Sequence, residues 1–177
     1  MARKFKLYLI VFFLGIVIIL LFRMNYKAYT QSTLNIGDQF PKISFEYNNQ
    51  NYEIIPDLSK PFVIFIYKNQ CAYCEMTLKD MDENIENIDN VSFYFLSHNA
   101  NPDSTKNHYF NISKNHNSTI GKISANTVKD SLYVNAFPTV FIVDQYGIVT
   151  KKIKGAVKYS IINKAINKCG NLGLKKE

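Results

Sequence analysis

The sequence of 177 residues has only three cysteines, and only two of them are spaced as a Cys-x-x-Cys pair. A tetrahedral structural zinc site needs four ligands, and the three histidines are not spaced like the ligands of a zinc finger. The formal net charge is +7, but the sequence has neither a basic helix nor a ladder of basic and aromatic residues. A structural zinc module and nucleic-acid binding are therefore both disfavoured.

Charged residues are absent from the apolar run 7–22. As a helix this run would span roughly 24 Å, slightly less than a hydrocarbon core. The flanking Lys6 and Arg23 can extend it, because long basic side chains reach the membrane interface. No cysteine follows the run, which argues against lipidation at that point. We interpret residues 1–23 as an N-terminal membrane anchor of the signal-anchor type.

Two other interpretations of the run stay open. A cleaved signal peptide needs small residues at its cleavage site, and the sequence Ala-Tyr-Thr at 28–30 is a poor one. A buried helix of a soluble domain would seldom lack a polar face. With an anchor, the more positive amino-terminal flank predicts that the rest of the chain lies outside the cytoplasm. Residues 24–35 would then be a linker and residues 36–177 a domain on the extracytoplasmic side of the cytoplasmic membrane.

The domain is predicted to begin with strands. Residues 43–47 and 52–55 alternate apolar and polar side chains around a polar loop, a pattern typical of a hairpin. Residues 62–67 form a continuous apolar run rich in β-forming residues, which predicts a central strand buried on both faces.

The middle of the domain is less regular. Residues 74–88, including Met76, have mostly helical apolar spacing, and residues 91–96 predict a second buried strand. Residues 97–124 hold many Asn, Ser and Lys residues and all three histidines. A long structureless loop is uncommon in a compact domain, so we interpret this stretch as a partly structured insert with a short helix around 103–110.

The remaining elements are assigned from apolar patterns and turn residues: a short helix at 126–134, an antiparallel strand pair at 139–143 and 148–153, and a closing helix at 157–168 with Gly170 just past its end. A strand–helix–strand unit implies a parallel pair, and the late hairpin adds antiparallel strands. The sequence thus predicts an α/β domain with a central mixed sheet and helices on both faces.

Cys71 and Cys74 lie where a predicted buried strand ends and a helix begins. A thiol at a helix N-terminus faces unpaired backbone N–H groups, which favour the reactive thiolate. The spacing of three residues brings both sulfurs within bonding reach on the first helical turn. We expect Cys71 to be the exposed nucleophile and Cys74 to resolve the mixed disulfide.

Other interpretations of this pair are a structural disulfide and an incidental spacing. A disulfide across so tight a loop would restrict the unfolded chain little. An incidental spacing is disfavoured because two of only three cysteines occupy this junction. Cys169, at the end of the last predicted helix, is either an idle packed thiol or the site of a regulatory or intermolecular disulfide.

The segment from Phe62 to Cys74, followed by a helix, resembles the active-site segment of the thioredoxin superfamily. The segment 136–147, Ala-Phe-Pro-Thr-Val-Phe-Ile-Val-Asp-Gln-Tyr-Gly, resembles the second hallmark of that superfamily. The predicted anchor, the early hairpin and the insert are similar to the TlpA-like branch of membrane-tethered thioredoxins. The resemblance implies a thioredoxin-like fold, a cis peptide bond at Phe137-Pro138 and thiol–disulfide oxidoreductase activity.

The same resemblance implies which residues form the site. Cys71, Cys74 and Pro138 are the expected catalytic residues, with Pro138 beside the cysteines so that a substrate backbone pairs with the exposed edge. The expected substrate-binding residues are Tyr73, Phe137 and Thr139, with a shield over Cys74 as the alternative role of Tyr73. No metal or organic cofactor is implied.

The sequence departs from the family pattern at three places. Gln70 stands where most members have Trp before the first cysteine. Phe65 stands where thioredoxins have a buried acid, and Thr77 where TlpA-like proteins often have Glu. The nearest acid to the pair is Glu75, which is either a proton-transfer group or a solvated helix residue.

We predict a membrane-tethered, extracytoplasmic oxidoreductase that reduces disulfides of exported proteins. Its partners would be exported proteins with thiols or disulfides, a membrane electron-transfer protein that recycles the pair, and the membrane itself through residues 7–22. One alternative is an oxidase or isomerase of exported proteins. Another is a copper-binding chaperone similar to Sco proteins, with His98 as a distant third ligand, because thiolates and imidazole suit copper.

Overall fold

A computed structural model describes residues 12–23, 33–55, 60–85, 90–99 and 101–172, and for the last three of these it describes the backbone alone. The chain divides into two units, one ending at Thr33 and the other beginning at Leu34. In the first unit, residues 12–23 form helix α1, whose large apolar side chains are exposed. Within the described ranges, no helix combines the length and the apolar character needed to cross a membrane. Most of the predicted linker lies outside those ranges.

The second unit is built on one mixed sheet of seven strands in the order β2-β1-β5-β4-β3-β6-β7. Strand β3 runs parallel to β4, and β4 parallel to β5, whereas every other neighbouring pair is antiparallel. The strands are β1 (Ile43–Tyr47), β2 (Gln50–Ile54), β3 (Phe62–Tyr67), β4 (Ser92–Ser97), β5 (Ser118–Ile123), β6 (Thr139–Val143) and β7 (Val149–Lys154).

Helices connect these strands and close the chain. They are α2 (Ala72–Asn84), α3 (Pro102–His108), α4 (Phe110–Lys114) and α5 (Tyr159–Leu172), with a π-helical turn at Thr127–Ser131. The predicted helix at 126–134 therefore exists, but in part as a π-helical turn. Helix α2 ends at Asn84 with Ile85 as its C-cap residue, so it is shorter than the helix predicted to residue 88.

The core has one apolar cluster on each face of the sheet. All six residues of β3 are buried, which confirms the predicted central strand. Val63, Phe65 and their neighbours pack with buried residues of α2, α4 and α5, including Met81, Ile112 and Ile162. The alternate β3 residues pack on the other face with Leu34, Phe40 and residues of the helical turn, including Val128 and Leu132. Helical structure thus contributes to both faces, most of it on the face of α2.

Strand β5 corrects the interpretation of residues 97–124 as an insert. This strand, Ser-Thr-Ile-Gly-Lys-Ile, is only partly buried and has only two large apolar residues. It therefore lacks the apolar run by which a buried strand is recognised in a sequence. The backbones of β5 and β1 approach each other closely at Gly121. A Cβ on this residue would lie 2.7 Å from the carbonyl oxygen of Glu46 in β1. Two short helices, α3 and α4, precede the strand where one was predicted.

Two smaller predictions differ from the structure. The hairpin loop is shorter than predicted, since only Asn48 and Asn49 form the turn, both with positive φ of 50° and 61°. Consecutive left-handed residues fit the twist of a two-residue hairpin, and asparagine tolerates them. The prediction that Gly170 follows the last helix is wrong, because α5 continues through it to Leu172. Glycine costs about 1 kcal/mol inside a helix, and the buried Ile162, Ile166 and Cys169 anchor this one.

Candidate active site

The cysteine pair begins α2. Gln70, with a φ of 53°, turns the chain out of the β3 segment, and Cys71 is the extended N-cap residue of the helix. The backbone N–H groups of Cys74 and Glu75 donate to the carbonyl oxygen of Cys71 at 2.9 and 3.0 Å. The N–H of Cys74 also lies 3.3 Å from the Cys71 sulfur, which accepts from it. In the reduced protein this donor and the helix N-terminus favour a thiolate on Cys71.

Cys71 and Cys74 are joined by a disulfide, with Cα atoms 5.2 Å apart. The predicted proximity of the two sulfurs is therefore confirmed. Cys71 keeps 8% of its surface exposed and Cys74 only 1%. Cys71 is therefore buried rather than exposed as expected, but it is the more accessible of the two cysteines, and the attacking and resolving roles stay predictions.

Pro138 lies beside the pair, and the Phe137-Pro138 bond is cis, as the resemblance implied. The sulfur of Cys71 is 3.8 Å from the carbonyl oxygen of Phe137. Thr139 is fully buried, and its hydroxyl donates to the carbonyl oxygen of Ala136 at 2.7 Å. The backbone of Thr139 is covered as well, because this residue pairs with Ile66 of β3 and with Lys154 of β7, so the structure does not offer Thr139 to a substrate.

The ring of Phe137 has two partners that link it to the ends of β3 and β4. The imidazole of His98 stacks on it at a centroid distance of 5.5 Å and an angle of 8°. The ammonium of Lys68 lies 5.5 Å from its centroid. His98 is thus a packing partner of Phe137, and its Nδ1 is buried without a hydrogen-bond partner.

Two apolar side chains on the first turns of α2 are open to solvent. Tyr73 is 64% exposed and Met76 62% exposed. Tyr73 therefore offers its ring to the surface, as a substrate-binding residue must. Met76 was expected to face the core from its helical spacing, and that expectation is wrong.

Thr77 and Phe65, which depart from the family pattern, have structural roles. The buried hydroxyl of Thr77 donates to the carbonyl oxygen of Tyr73 at 3.0 Å and accepts from the N–H of Val157 at 3.2 Å. It ties α2 to the segment that leads into α5. Phe65 is 1% exposed in the core, so neither position supplies an acid.

A cleft of about 300 Å³ reaches Cys74 from the side of α3. Its wall includes Tyr67, whose hydroxyl donates to Thr105 at 2.8 Å, and burial raises the pKa of this phenol to about 12. His108 and Tyr109 also line this cleft. These contacts could not be predicted from the sequence. Residues 102–109 belong to the connection between β4 and β5, and the folded path of that connection brings them beside Cys74.

The third cysteine is buried in the core. The sulfur of Cys169 lies 3.0 Å from the hydroxyl of Thr150 and 3.3 Å from the carbonyl oxygen of Ala165. Burial raises the pKa of this thiol, which lowers its reactivity. Its surroundings match the packed-thiol interpretation rather than a regulatory disulfide.

The histidines have separate environments. His98 stacks on Phe137, the Nδ1 of His108 contacts the carbonyl oxygen of Ser104 at 3.2 Å, and His116 contacts the side chain of Asn117. Across the described part of the chain, no three His, Cys, Asp or Glu side chains are grouped to hold a metal ion.

The fold has counterparts among solved bacterial structures. The thioredoxin domain of a thiol-disulfide oxidoreductase from Bacteroides vulgatus is 18% identical, with a TM-score of 0.52, over 76% of this chain and 100% of that one. The exposed lipoprotein thioredoxin of Streptococcus pneumoniae is 15% identical, with a TM-score of 0.56, over 72% and 99%. A thiol:disulfide interchange protein from Bacteroides sp. is 19% identical, with a TM-score of 0.53, over 76% and 91%.

At these identities the likeness concerns the fold. No curated protein matches the sequence. The family model of the thioredoxin-like domain, in contrast, matches residues 49–170. That range is most of the chain and includes Cys71, Cys74 and Pro138. The chain therefore belongs to the thioredoxin-like domain family, and its fold and cysteine pair support thiol–disulfide oxidoreductase activity.

Proposed function

We propose that this protein reduces disulfides of exported proteins from a site tethered outside the cytoplasmic membrane. The observation that carries the exchange chemistry is the unequal burial of two bonded cysteines at a helix N-terminus beside a cis proline. The apolar run at 7–22 between basic residues supports the tether. The likeness to an exposed lipoprotein thioredoxin fits a location outside the cytoplasm.

The exchange proceeds in two steps. The thiolate of Cys71 attacks one sulfur of the substrate disulfide, and the other substrate sulfur leaves as a thiolate. Cys74 then attacks Cys71, so that the bond to the substrate breaks and the Cys71–Cys74 disulfide forms. The substrate gains two electrons and two protons, and the pair is oxidised. A membrane electron-transfer protein returns two electrons to the pair.

The substrate would bind across the surface that surrounds Cys71. Tyr73 offers an exposed ring, and Phe137 offers the backbone next to Pro138. The contact between the Cys71 sulfur and the carbonyl oxygen of Phe137 supports this arrangement, because it brings the cis proline segment to the reacting sulfur.

A second candidate is disulfide formation or isomerisation in exported proteins. The N–H of Cys74 that points at the Cys71 sulfur favours this direction. A donor that stabilises the thiolate stabilises the reduced pair, which makes the disulfide a stronger oxidant. The reductive proposal therefore requires that the Cys74 N–H stabilise the Cys71 thiolate only slightly.

The reduction potential of the pair separates the two candidates. Full-length protein in detergent would be equilibrated with glutathione or dithiothreitol, and the reduced fraction measured by alkylation. A value below about −250 mV supports the reductase, and a value above about −180 mV supports the oxidase or isomerase. Cys169→Ala would serve as the background, so that only the pair is alkylated.

The tether is tested separately in cells. The full-length protein should remain in the membrane fraction after a carbonate wash. Protease added to spheroplasts or protoplasts should digest the domain. Release of the protein by the wash, or protection of the domain from protease, would contradict the proposed topology.

A further inference from the structure

The resolving step needs a group that accepts a proton from Cys74. This cysteine is 1% exposed, and attack requires its thiolate. Strand β3, which packs behind it, carries only apolar residues and Tyr67. Because β3 has no carboxyl group, the acceptor of the Cys74 proton must come from another part of the structure.

The cleft beside Cys74 offers such a route. Its volume of about 300 Å³ is sufficient for several water molecules. The titratable side chains that line it with Cys74 are Tyr67, Lys68, Glu75, His108 and Tyr109. We look for the proton acceptor among these side chains.

Three of the groups are poor acceptors. Lys68 is cationic. Tyr67 already donates its proton to Thr105, and burial raises its pKa to about 12. Burial and the neighbouring Glu75 and Asp82 also raise the pKa of Tyr109. Both phenols therefore stay protonated near neutral pH and can serve only as donors.

The orientation of His108 leaves an acceptor available. Its Nδ1 is 3.2 Å from the carbonyl oxygen of Ser104, which can only accept. The neutral ring must therefore carry its proton on Nδ1, and Nε2 keeps its lone pair. Glu75 is the other remaining group, but a carboxylate is ordinarily a weaker base than a neutral imidazole, the side chain best suited to exchange protons near neutral pH.

We infer that His108 accepts the proton of Cys74 through water in this cleft while Cys74 resolves the mixed disulfide. The inference rests on the proposed exchange function and adds a proton acceptor from a helix that follows β4. Cys74 forms the bond to Cys71, the substrate sulfur leaves with the electron pair of the broken bond, and the proton passes to Nε2 of His108. Proton release to solvent through the mouth of the cleft restores the neutral ring.

A two-phase thiol assay tests this inference. Reduced full-length protein in a Cys169→Ala background would be mixed in a stopped-flow cell with 5,5′-dithiobis(2-nitrobenzoate). The first coloured thiolate appears when Cys71 is modified, and the second when Cys74 displaces the reagent from Cys71. Cys74→Ser should abolish the second release and thereby assign it.

The variant His108→Ala should slow the second release on the order of 100-fold and leave the first unchanged. Added imidazole should restore the second phase, which a merely structural role would not allow. His116→Ala, a histidine variant outside the cleft, should match the unsubstituted protein. An unchanged second phase in His108→Ala, or a slow phase that imidazole does not accelerate, would overturn the inference. If the unsubstituted protein released only one thiolate, the proposed exchange function would fail instead.

Discussion

The sulfur of Cys71 lies 3.8 Å from the carbonyl oxygen of Phe137, the residue that precedes the cis proline. These residues are 66 positions apart in sequence. They meet because β6 pairs antiparallel with β3, with Thr139 opposite Ile66. The pairing sets the start of β6 beside the end of β3. The reacting sulfur and the proposed substrate-binding backbone therefore share one edge of the sheet.

Tyr73 should matter for protein substrates and not for stability. Its side chain is 64% exposed, so Tyr73→Ala should change the free energy of unfolding by less than about 0.5 kcal/mol. Loss of the ring should slow the reduction of a protein disulfide several-fold but leave the reaction with a small disulfide unchanged. Tyr146→Ala, which removes an equally exposed tyrosine at the β6–β7 turn, is the matched control. Equal effects on both substrates would remove Tyr73 from the substrate surface.

Tyr67 should make the stability of the domain sensitive to alkaline pH. Burial raises the pKa of its phenol from 10.0 to about 12. Because the folded-state pKa exceeds the unfolded one, its contribution is complete below about pH 10 and is lost as the pH rises through about 12. Tyr67→Phe should therefore lose stability less steeply over this range, by up to about 2–3 kcal/mol.

The measurement is urea unfolding at several alkaline pH values, with Tyr146→Phe as the control. Some decline should remain in Tyr67→Phe, since burial also raises the pKa of Tyr109 and Tyr159. At neutral pH the same variant should cost about 1 kcal/mol, because Thr105 loses a buried hydrogen bond. Identical pH profiles for Tyr67→Phe and the unsubstituted protein would show that the phenol is solvated.

Gly121 should be intolerant of a side chain. A Cβ there would lie 2.7 Å from the carbonyl oxygen of Glu46 and 2.7 Å from Cδ2 of Phe45. Gly121→Ala should therefore separate β5 from β1 and cost about 1–3 kcal/mol, as overpacking does. Thermal unfolding is the measurement, and Lys122→Ala, an exposed neighbour, should be close to neutral. A Gly121→Ala protein of undiminished stability would contradict the close approach of these strands.

Some elements could be predicted from the sequence because a single physical signal dominates them. Strands β3 and β6 have the predicted bounds, since each is a continuous apolar run buried on both faces. The position of the cysteine pair between β3 and α2 was also visible locally, whereas the cis bond at Pro138 was expected from the resemblance to the thioredoxin superfamily. Strand β5 escaped prediction for the opposite reason. Its half-exposed, glycine-containing sequence has the polar character of a loop.

The surroundings of Cys74 could not be predicted, because they depend on tertiary placement. Thr105 and His108 are more than thirty residues from the cysteine in sequence, and no local pattern connects them to it. Met76 shows the same limit on a smaller scale. Its helical spacing fits the core, but the structure leaves it exposed beside the site.

Trapping of mixed disulfides tests the proposed function most directly. Full-length Cys74→Ser and Cys71→Ser proteins would be produced in cells, and thiols would be blocked with acid and an alkylating agent before nonreducing electrophoresis. Cys74→Ser should accumulate disulfide-linked complexes with exported proteins, because Cys71 attacks and nothing resolves, whereas Cys71→Ser should accumulate none. The absence of such complexes from Cys74→Ser, or equal amounts from both variants, would contradict thiol–disulfide exchange through Cys71.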